Sequence, residues 1–198
     1  MMTSSARAPV AAWPARRLPG DVAMWIFILA ELSVFGILIF AFAVTQALHE
    51  TLFHESRLLL DRSTGLALTA GLLTSGLLAA LAVAQVRQGR QRGAMWLLLC
   101  ALASACVYVA LKLHEYGHLL QMGLDVEHNR FFALYWILTG FHFLHVLLGM
   151  VILGWMANRC RLAAYGAGQL APFESGVLYW HMVDLVWVIL FPVVYVMN

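Results

Sequence analysis

Charged side chains are scarce in this sequence. Asp, Glu, Lys and Arg make up 11% of its 198 residues, whereas 63% of the residues are hydrophobic. The mean hydropathy of +0.82 lies outside the range of soluble domains. The shortage of charge therefore excludes a soluble protein and indicates an integral membrane protein. We expect no nucleic-acid partner.

Cysteine is also rare. Cys100 and Cys106 lie in one hydrophobic run and Cys160 follows another. Cysteines that are neither paired nor clustered exclude a disulfide framework and a thiolate metal site. We interpret all of them as packing residues.

Long hydrophilic segments are missing too. A helix needs about 20 apolar residues to cross roughly 30 Å of hydrocarbon. Runs of this length fill most of the chain, so the sequence predicts an all-α, polytopic bundle of transmembrane helices within residues 21–198. Residues 1–20 contain several prolines and are expected to be a flexible cytoplasmic segment. The five predicted spans are residues 22–44, 66–86, 94–113, 132–157 and 177–197.

Positive charge is distributed unevenly between the connecting segments. Arginines precede the first span and follow the second and fourth, whereas the opposite loops carry both signs. The positive-inside rule then places the N-terminus in the cytoplasm and the C-terminus outside a bacterial inner membrane. The arginines that set this orientation are Arg7, Arg16, Arg17, Arg87, Arg90, Arg92, Arg159 and Arg161.

A few ionisable side chains lie inside the apolar runs. His142 and His145 share a face of the fourth span, and Glu31 lies near the middle of the first. His181 and Asp184 are separated by one helical turn on the fifth. We expect these residues to form a buried polar layer, in which Glu31 bonds to His142 or His145 and Asp184 bonds to another helix.

The composition of this polar layer leaves three roles open. It fits a structural polar core, a proton-handling site, or a metal or haem site. Two histidines at i and i+3 on one helix cannot supply opposite axial ligands to a haem, and a di-iron centre needs several Glu ligands. A transporter is disfavoured because the spans show no repeated halves.

The third predicted span leads into a literal H-E-x-x-H motif, His114-Glu115-Tyr116-Gly117-His118. In zinc peptidases the two histidines bind the metal and the glutamate activates a water molecule. A catalytic zinc also needs a third protein ligand, and Gly117 weakens the helix that the motif requires. One alternative is therefore a membrane zinc metallopeptidase; the other is a membrane-exit helix with His, Tyr and Lys anchors at the interface.

Two polar segments lie outside the predicted spans. Residues 45–65 carry a mixed set of charges, including Arg57, which is typical of a solvated helix face with ion pairs. Glu174 and Ser175 precede the fifth span and are expected to favour its N-terminus by dipole and capping interactions.

Three segments together resemble subunit III of the haem-copper oxidases in its five-helix form. They are residues 24–31 (MWIFILAE), residues 138–146 (LTGFHFLHV) and Glu174 followed by residues 179–187 (YWHMVDLVW). The similarity extends over residues 20–198. Within that family, Glu55-Ser-Arg57, residues 64–77 and Leu190-Phe-Pro192 look most like the branch associated with nitric oxide reductases.

This resemblance implies an accessory subunit without a redox cofactor of its own. It would stabilise a haem-containing catalytic subunit, bind membrane phospholipids and support proton uptake. The resemblance makes Glu31 the buried carboxylate of the family's first shared helix and His142 and His145 its paired histidines. The residues that it suggests for contact with lipid or partner are Trp25, Glu115, Tyr116, Glu174 and Trp180.

Overall fold

Six α-helices and a short C-terminal π-helix make up the described part of the chain. The computed structural model describes residues 20–165 and 170–197, and within them no strand occurs. Five helices are long and apolar enough to cross a membrane, which confirms the predicted all-helical bundle. The helices are α1 (Val22–Leu48), α2 (Glu50–Arg57), α3 (Arg62–Arg87), α4 (Gln91–Gln121), α5 (Arg130–Arg161), α6 (Leu170–Phe191) and the π-helix (Pro192–Val196).

Capping interactions define where several helices begin and end. Asp61 accepts backbone hydrogen bonds from Ser63 and Thr64 at the start of α3. Hydrogen bonds from these two residues lower the pKa of Asp61 to about 2. At the end of α4, Gly123 adopts a positive φ of 72°, which lets Leu124 donate back to the helix. These caps extend the membrane helices beyond their apolar runs.

The order of packing places α6 at the centre of the bundle. Helices α3, α4 and α5 pack in sequence, and α6 contacts α1, α3 and α5. α6 is therefore the most buried of the membrane helices and α1 is the least buried.

Glycines let α6 approach its neighbours closely. A side chain at Gly149 of α5 would overlap the indole of Trp180, and one at Gly76 of α3 would overlap the carboxylate of Asp184. Small residues at such contacts are typical of membrane helix pairs. Helices α3 and α4 are further joined because Ser75 Oγ donates to the Ala101 carbonyl at 2.8 Å.

The beginning and end of α6 differ from the predicted fifth span. α6 already includes Leu170, so Glu174 and Ser175 lie inside it and do not cap it. They accept hydrogen bonds from the amides of Gly20 and Asp21 instead, at 3.3 and 3.1 Å, and so fix the start of α1. The expected N-terminal segment, apart from Gly20, lies outside the described residues.

Candidate functional site

Glu31 and His145 form a pair between α1 and α5. Glu31 Oε2 lies 3.1 Å from His145 Nε2, which confirms the contact expected from their similar depth. His145 Nδ1 lies 2.9 Å from the Phe141 carbonyl, which only accepts hydrogen bonds, so Nδ1 carries a proton. One further proton is then shared across the Glu31 contact. The pair is therefore electrically neutral, either as carboxylic acid and imidazole or as carboxylate and imidazolium.

His142 lies outside this pair although it belongs to the same helix face. Its side chain is fully buried, and neither ring nitrogen has a hydrogen-bond partner among the described residues. The ring stacks on Trp187 with centroids 5.2 Å apart and meets Tyr108 edge-on. The structure thus packs His142 as an aromatic side chain and gives Glu31 a single histidine partner.

Asp184 and His181 contact each other on α6. His181 Nδ1 lies 3.5 Å from Asp184 Oδ2, and the aspartate is buried whereas 41% of the histidine side chain is exposed. Asp184 Oδ1 has no hydrogen-bond partner in the described part of the chain. The expected hydrogen bond between Asp184 and another helix is wrong. The Asp184 carboxylate faces the backbone of Gly76 in α3, which offers no polar side chain.

A second cluster of charged residues, centred on Lys112, was missed by the sequence analysis. Lys112 is fully buried, and its ammonium donates to Glu115 Oε2 at 2.8 Å and to the hydroxyls of Tyr135 and Tyr195 at 3.1 and 3.0 Å. Tyr195 in turn donates to Glu115 Oε1 at 2.7 Å. Lys112 is therefore not an interfacial anchor, because all three ammonium hydrogens have partners inside the bundle.

The sequence contained one signal for this cluster. Lys112 and Glu115 are three residues apart, a spacing that brings opposite charges together on one helix face. The predicted third span ends at residue 113, which places Glu115 beyond the apolar run, at the outer end of the helix. Because α4 continues to Gln121, both residues lie within the helix.

The geometry of the H-E-x-x-H motif does not support a zinc peptidase. His114 and His118 are exposed, but Glu115 turns inward and is held by Lys112 and Tyr195. Both carboxylate oxygens of Glu115 accept hydrogen bonds from other side chains, which does not fit a glutamate that activates water beside the two histidines. Within residues 20–165 and 170–197 no group of three His, Cys, Asp or Glu residues could hold a metal ion.

The remaining candidates for lipid or partner contact differ in their surroundings. Trp180 is fully buried against α5 and Tyr116 donates to Thr139 Oγ1 at 2.9 Å. Glu174 accepts from Arg87 at 2.7 Å near the start of α1, and Trp25 is partly buried. Trp180, like Glu115, therefore faces the interior of the bundle, whereas Glu174 and Trp25 retain some exposed surface.

Arg57 was expected on a solvated helix face, but the structure buries it. Its guanidinium donates to the carbonyls of Val194 and Val193 at 3.0 and 3.1 Å and to Gln46 Oε1 at 3.1 Å. The π-helix that begins at Pro192 presents these carbonyls, which a helix end leaves without partners. Burial, and to a lesser extent the charge of Arg62, lowers the pKa of Arg57.

Comparison with known proteins identifies relatives over almost the whole chain. Residues 21–198 match the family described as cytochrome c oxidase subunit III. The chain is 30% identical over 177 residues to a probable quinol oxidase subunit 3 of Staphylococcus aureus strain USA300, covering 88% of this chain and 87% of the relative. A probable quinol oxidase subunit 3 of Staphylococcus epidermidis is 30% identical over 182 residues, with the same coverage.

Proposed function

We propose that this chain, which belongs to the cytochrome c oxidase subunit III family, stabilises a haem-containing catalytic subunit by packing against it within the membrane. The chain is an accessory subunit of a haem-copper oxidase and an integral protein of the bacterial inner membrane. The observation that carries the proposal is the family match, which covers all five membrane helices. We propose that electron transfer takes place in the partner.

The polar groups between the helices support a structural role. Three of the charged side chains in the described part of the bundle interior have an opposite charge or a set of carbonyls beside them: Glu31 has His145, Lys112 has Glu115, and Arg57 has the π-helix. This pairing avoids an isolated charge in a medium of low dielectric constant, and hydrogen bonds from Lys112 to Tyr135 and Tyr195 and from Arg57 to the π-helix link neighbouring helices. We propose that the Glu31 pair, which shares a movable proton and is partly exposed, also supports proton uptake by the partner.

A phospholipid is the ligand that we propose for the cleft near the start of α1. The cleft has a volume of about 590 Å³ and lies between α1, α5 and α6. Met24, Ile152 and Pro172 form apolar walls, and the exposed Trp155 stands at its side. Tryptophan beside an apolar cleft is typical of the membrane interface, where acyl chains meet headgroups.

The proposal also includes the orientation of the chain in the membrane and the electron donor of the complex. The arginine distribution favours a cytoplasmic start of α1, and Arg87 and Glu174 lie at that same end of the bundle. The relatives named as quinol oxidase subunits favour a quinol-oxidising complex. Assignment to the branch associated with nitric oxide reductases remains a prediction from the sequence.

Copurification tests the proposed function. The chain is tagged in its native membrane, solubilised in mild detergent and purified, and haem absorbance is measured per tagged chain. We expect stoichiometric haem, and catalytic assays of the same material with quinol and oxygen or with nitric oxide identify the complex. Recovery of a stable protein without haem would contradict the proposal.

A further inference from the structure

Two histidines near the C-terminal end of α4 have no role in the proposed function. His114 and His118 belong to the H-E-x-x-H motif, whose glutamate turns inward, and they follow the apolar run that ends at residue 113. Both side chains are exposed, and neither has a hydrogen bond, an ion pair or a ring contact within the described part of the chain. Both imidazoles are therefore available to a ligand from solution.

The spacing of the two histidines suits a single metal ion. Helix α4 is continuous from Gln91 to Gln121, so His114 and His118 lie at positions i and i+4 on one face. Side chains at this spacing have Cβ atoms about 5–6 Å apart. Two imidazoles one turn apart can bind the same metal ion, as they do in helical zinc sites. The pair can thus act as a bidentate chelate even though Glu115 cannot serve a peptidase.

A small cavity lies beside this pair. It has a volume of about 200 Å³, and both histidines line it together with Asp61 and Thr64 at the start of α3. The two Asp61 oxygens accept hydrogen bonds from the amides of Ser63 and Thr64, so we assign the carboxylate no coordination bond. Its negative charge nevertheless favours a cation in the cavity.

The set of ligands decides which ions fit. No third His, Cys, Asp or Glu ligand is available within residues 20–165 and 170–197, so water would complete the coordination of a bound ion. Imidazole ligands suit Cu²⁺, Ni²⁺ and Zn²⁺, whereas Mg²⁺ and Ca²⁺ prefer oxygen ligands. The pair therefore favours a transition-metal ion that exchanges with solution.

Gly117 lies between the two histidines and gives the bound ion a structural effect. Glycine weakens the interior of a helix because it loses more conformational freedom on folding than any other residue. A side chain added at Gly117 would meet no atom within 4 Å, so close packing does not explain the glycine. An ion bound to His114 and His118 would join the residues on either side of Gly117 and so stabilise this turn.

We propose that His114 and His118 bind one divalent transition-metal ion near the C-terminal end of α4, and that the ion stabilises the helix across Gly117. The ion is of the class of Cu²⁺, Ni²⁺ or Zn²⁺, and water completes its coordination. The site does not rest on the proposed function, because it is formed by residues of this chain alone.

Zinc binding to the purified complex tests the site. The complex is isolated through a tag without histidine and equilibrated in a metal buffer at a free Zn²⁺ concentration that saturates the unmodified complex. Bound zinc is then measured by mass spectrometry of the elements. We expect His114→Gln and His118→Gln each to bind one Zn²⁺ fewer per complex. The matched control is His128→Gln, an exposed histidine without a second histidine one turn away, which should bind as much as the unmodified complex.

Hydrogen exchange tests the stabilisation of the helix. We expect saturating Zn²⁺ to slow exchange of the amides of residues 114–121 at least threefold in the unmodified complex, measured by mass spectrometry. The same Zn²⁺ concentration should leave this segment unchanged in His118→Gln. Mg²⁺ at equal concentration is the control for ionic strength and should have no effect.

The outcomes separate this inference from the proposed function. Equal zinc content in the unmodified complex and in both motif variants would overturn the metal site, and so would an equal loss in His128→Gln. Zinc binding that leaves exchange unchanged would overturn the stabilisation across Gly117. Haem is measured in the same samples. If the chain copurifies without haem, the proposed function fails, and the zinc measurements on that material still decide the metal site.

Discussion

Lys112 and Glu115 form an ion pair of 2.8 Å in the interior of the bundle. Tyr135 of α5 and Tyr195 of the π-helix complete the hydrogen bonds of the pair. The attraction within a buried ion pair is largely offset by the loss of hydration, but removal of one partner leaves an uncompensated charge. The pair therefore joins α4 to α5 and to the C-terminus, and its two members depend on each other.

Replacement of Lys112 should be strongly destabilising. We expect Lys112→Met to lower the free energy of unfolding by about 3–5 kcal/mol, because the Glu115 carboxylate is left buried without a cation. The double variant Lys112→Met, Glu115→Gln should lose less stability than Lys112→Met alone, because it buries no charge. Thermal unfolding of the solubilised complex measures both, and the exposed His114→Gln on the same helix is the control. A double variant as unstable as Lys112→Met would contradict this account.

Arg57 should not be replaceable by lysine. The guanidinium donates to two π-helix carbonyls and to Gln46 at the same time, whereas a lysine ammonium donates from a single nitrogen atom. Each lost charge-assisted hydrogen bond costs about 1.5–3 kcal/mol. We expect Arg57→Lys to accelerate hydrogen exchange in the π-helix, measured by mass spectrometry, whereas the exposed Arg62→Lys should leave it unchanged. Equal exchange in both variants would show that the C-terminus is held in another way.

The helices could be predicted from the sequence because the length of a hydrophobic run is a local property of the chain. Each of the five predicted spans lies almost wholly within a membrane-spanning helix of the structure. Helix ends were less predictable, since α4 and α6 extend beyond their apolar runs. The family resemblance, which rested on three short segments, was confirmed by the match over residues 21–198.

The partners of the polar side chains were harder to predict than their depth. Depth in the membrane predicts that Glu31 pairs with a histidine. It does not distinguish His145 from His142, because the two side chains point in different directions around α5. The burial of Arg57 depends on the π-helix after Pro192, and nothing near Arg57 in the sequence indicates it. Contacts of this kind depend on how helices rotate and cross, which a single sequence does not specify.

The cap of α3 should depend on pH. The pKa of Asp61 is lowered to about 2, below the value of about 3.9 of an unfolded aspartate, so the folded state favours the carboxylate. The contribution of the Asp61 cap to the free energy of unfolding is complete above about pH 4 and disappears as the pH falls towards 2. Asp61→Ala should lower stability by about 1 kcal/mol at neutral pH and have little effect near pH 2. Thermal unfolding at several pH values measures the difference, with Glu127→Ala as the control.

The neutral pair of Glu31 and His145 predicts a specific energetic coupling. In a double-mutant cycle of Glu31→Leu and His145→Phe we expect a coupling of about 1 kcal/mol or more, because either single variant leaves a polar group without its partner. The matched cycle of Glu31→Leu and His142→Phe should give less than about 0.5 kcal/mol, since His142 stacks on Trp187 and does not contact Glu31. Thermal unfolding of the solubilised complex supplies the four stabilities of each cycle. Equal coupling in both cycles would mean that Glu31 interacts with the two histidines as one group, contrary to the separation that the structure shows.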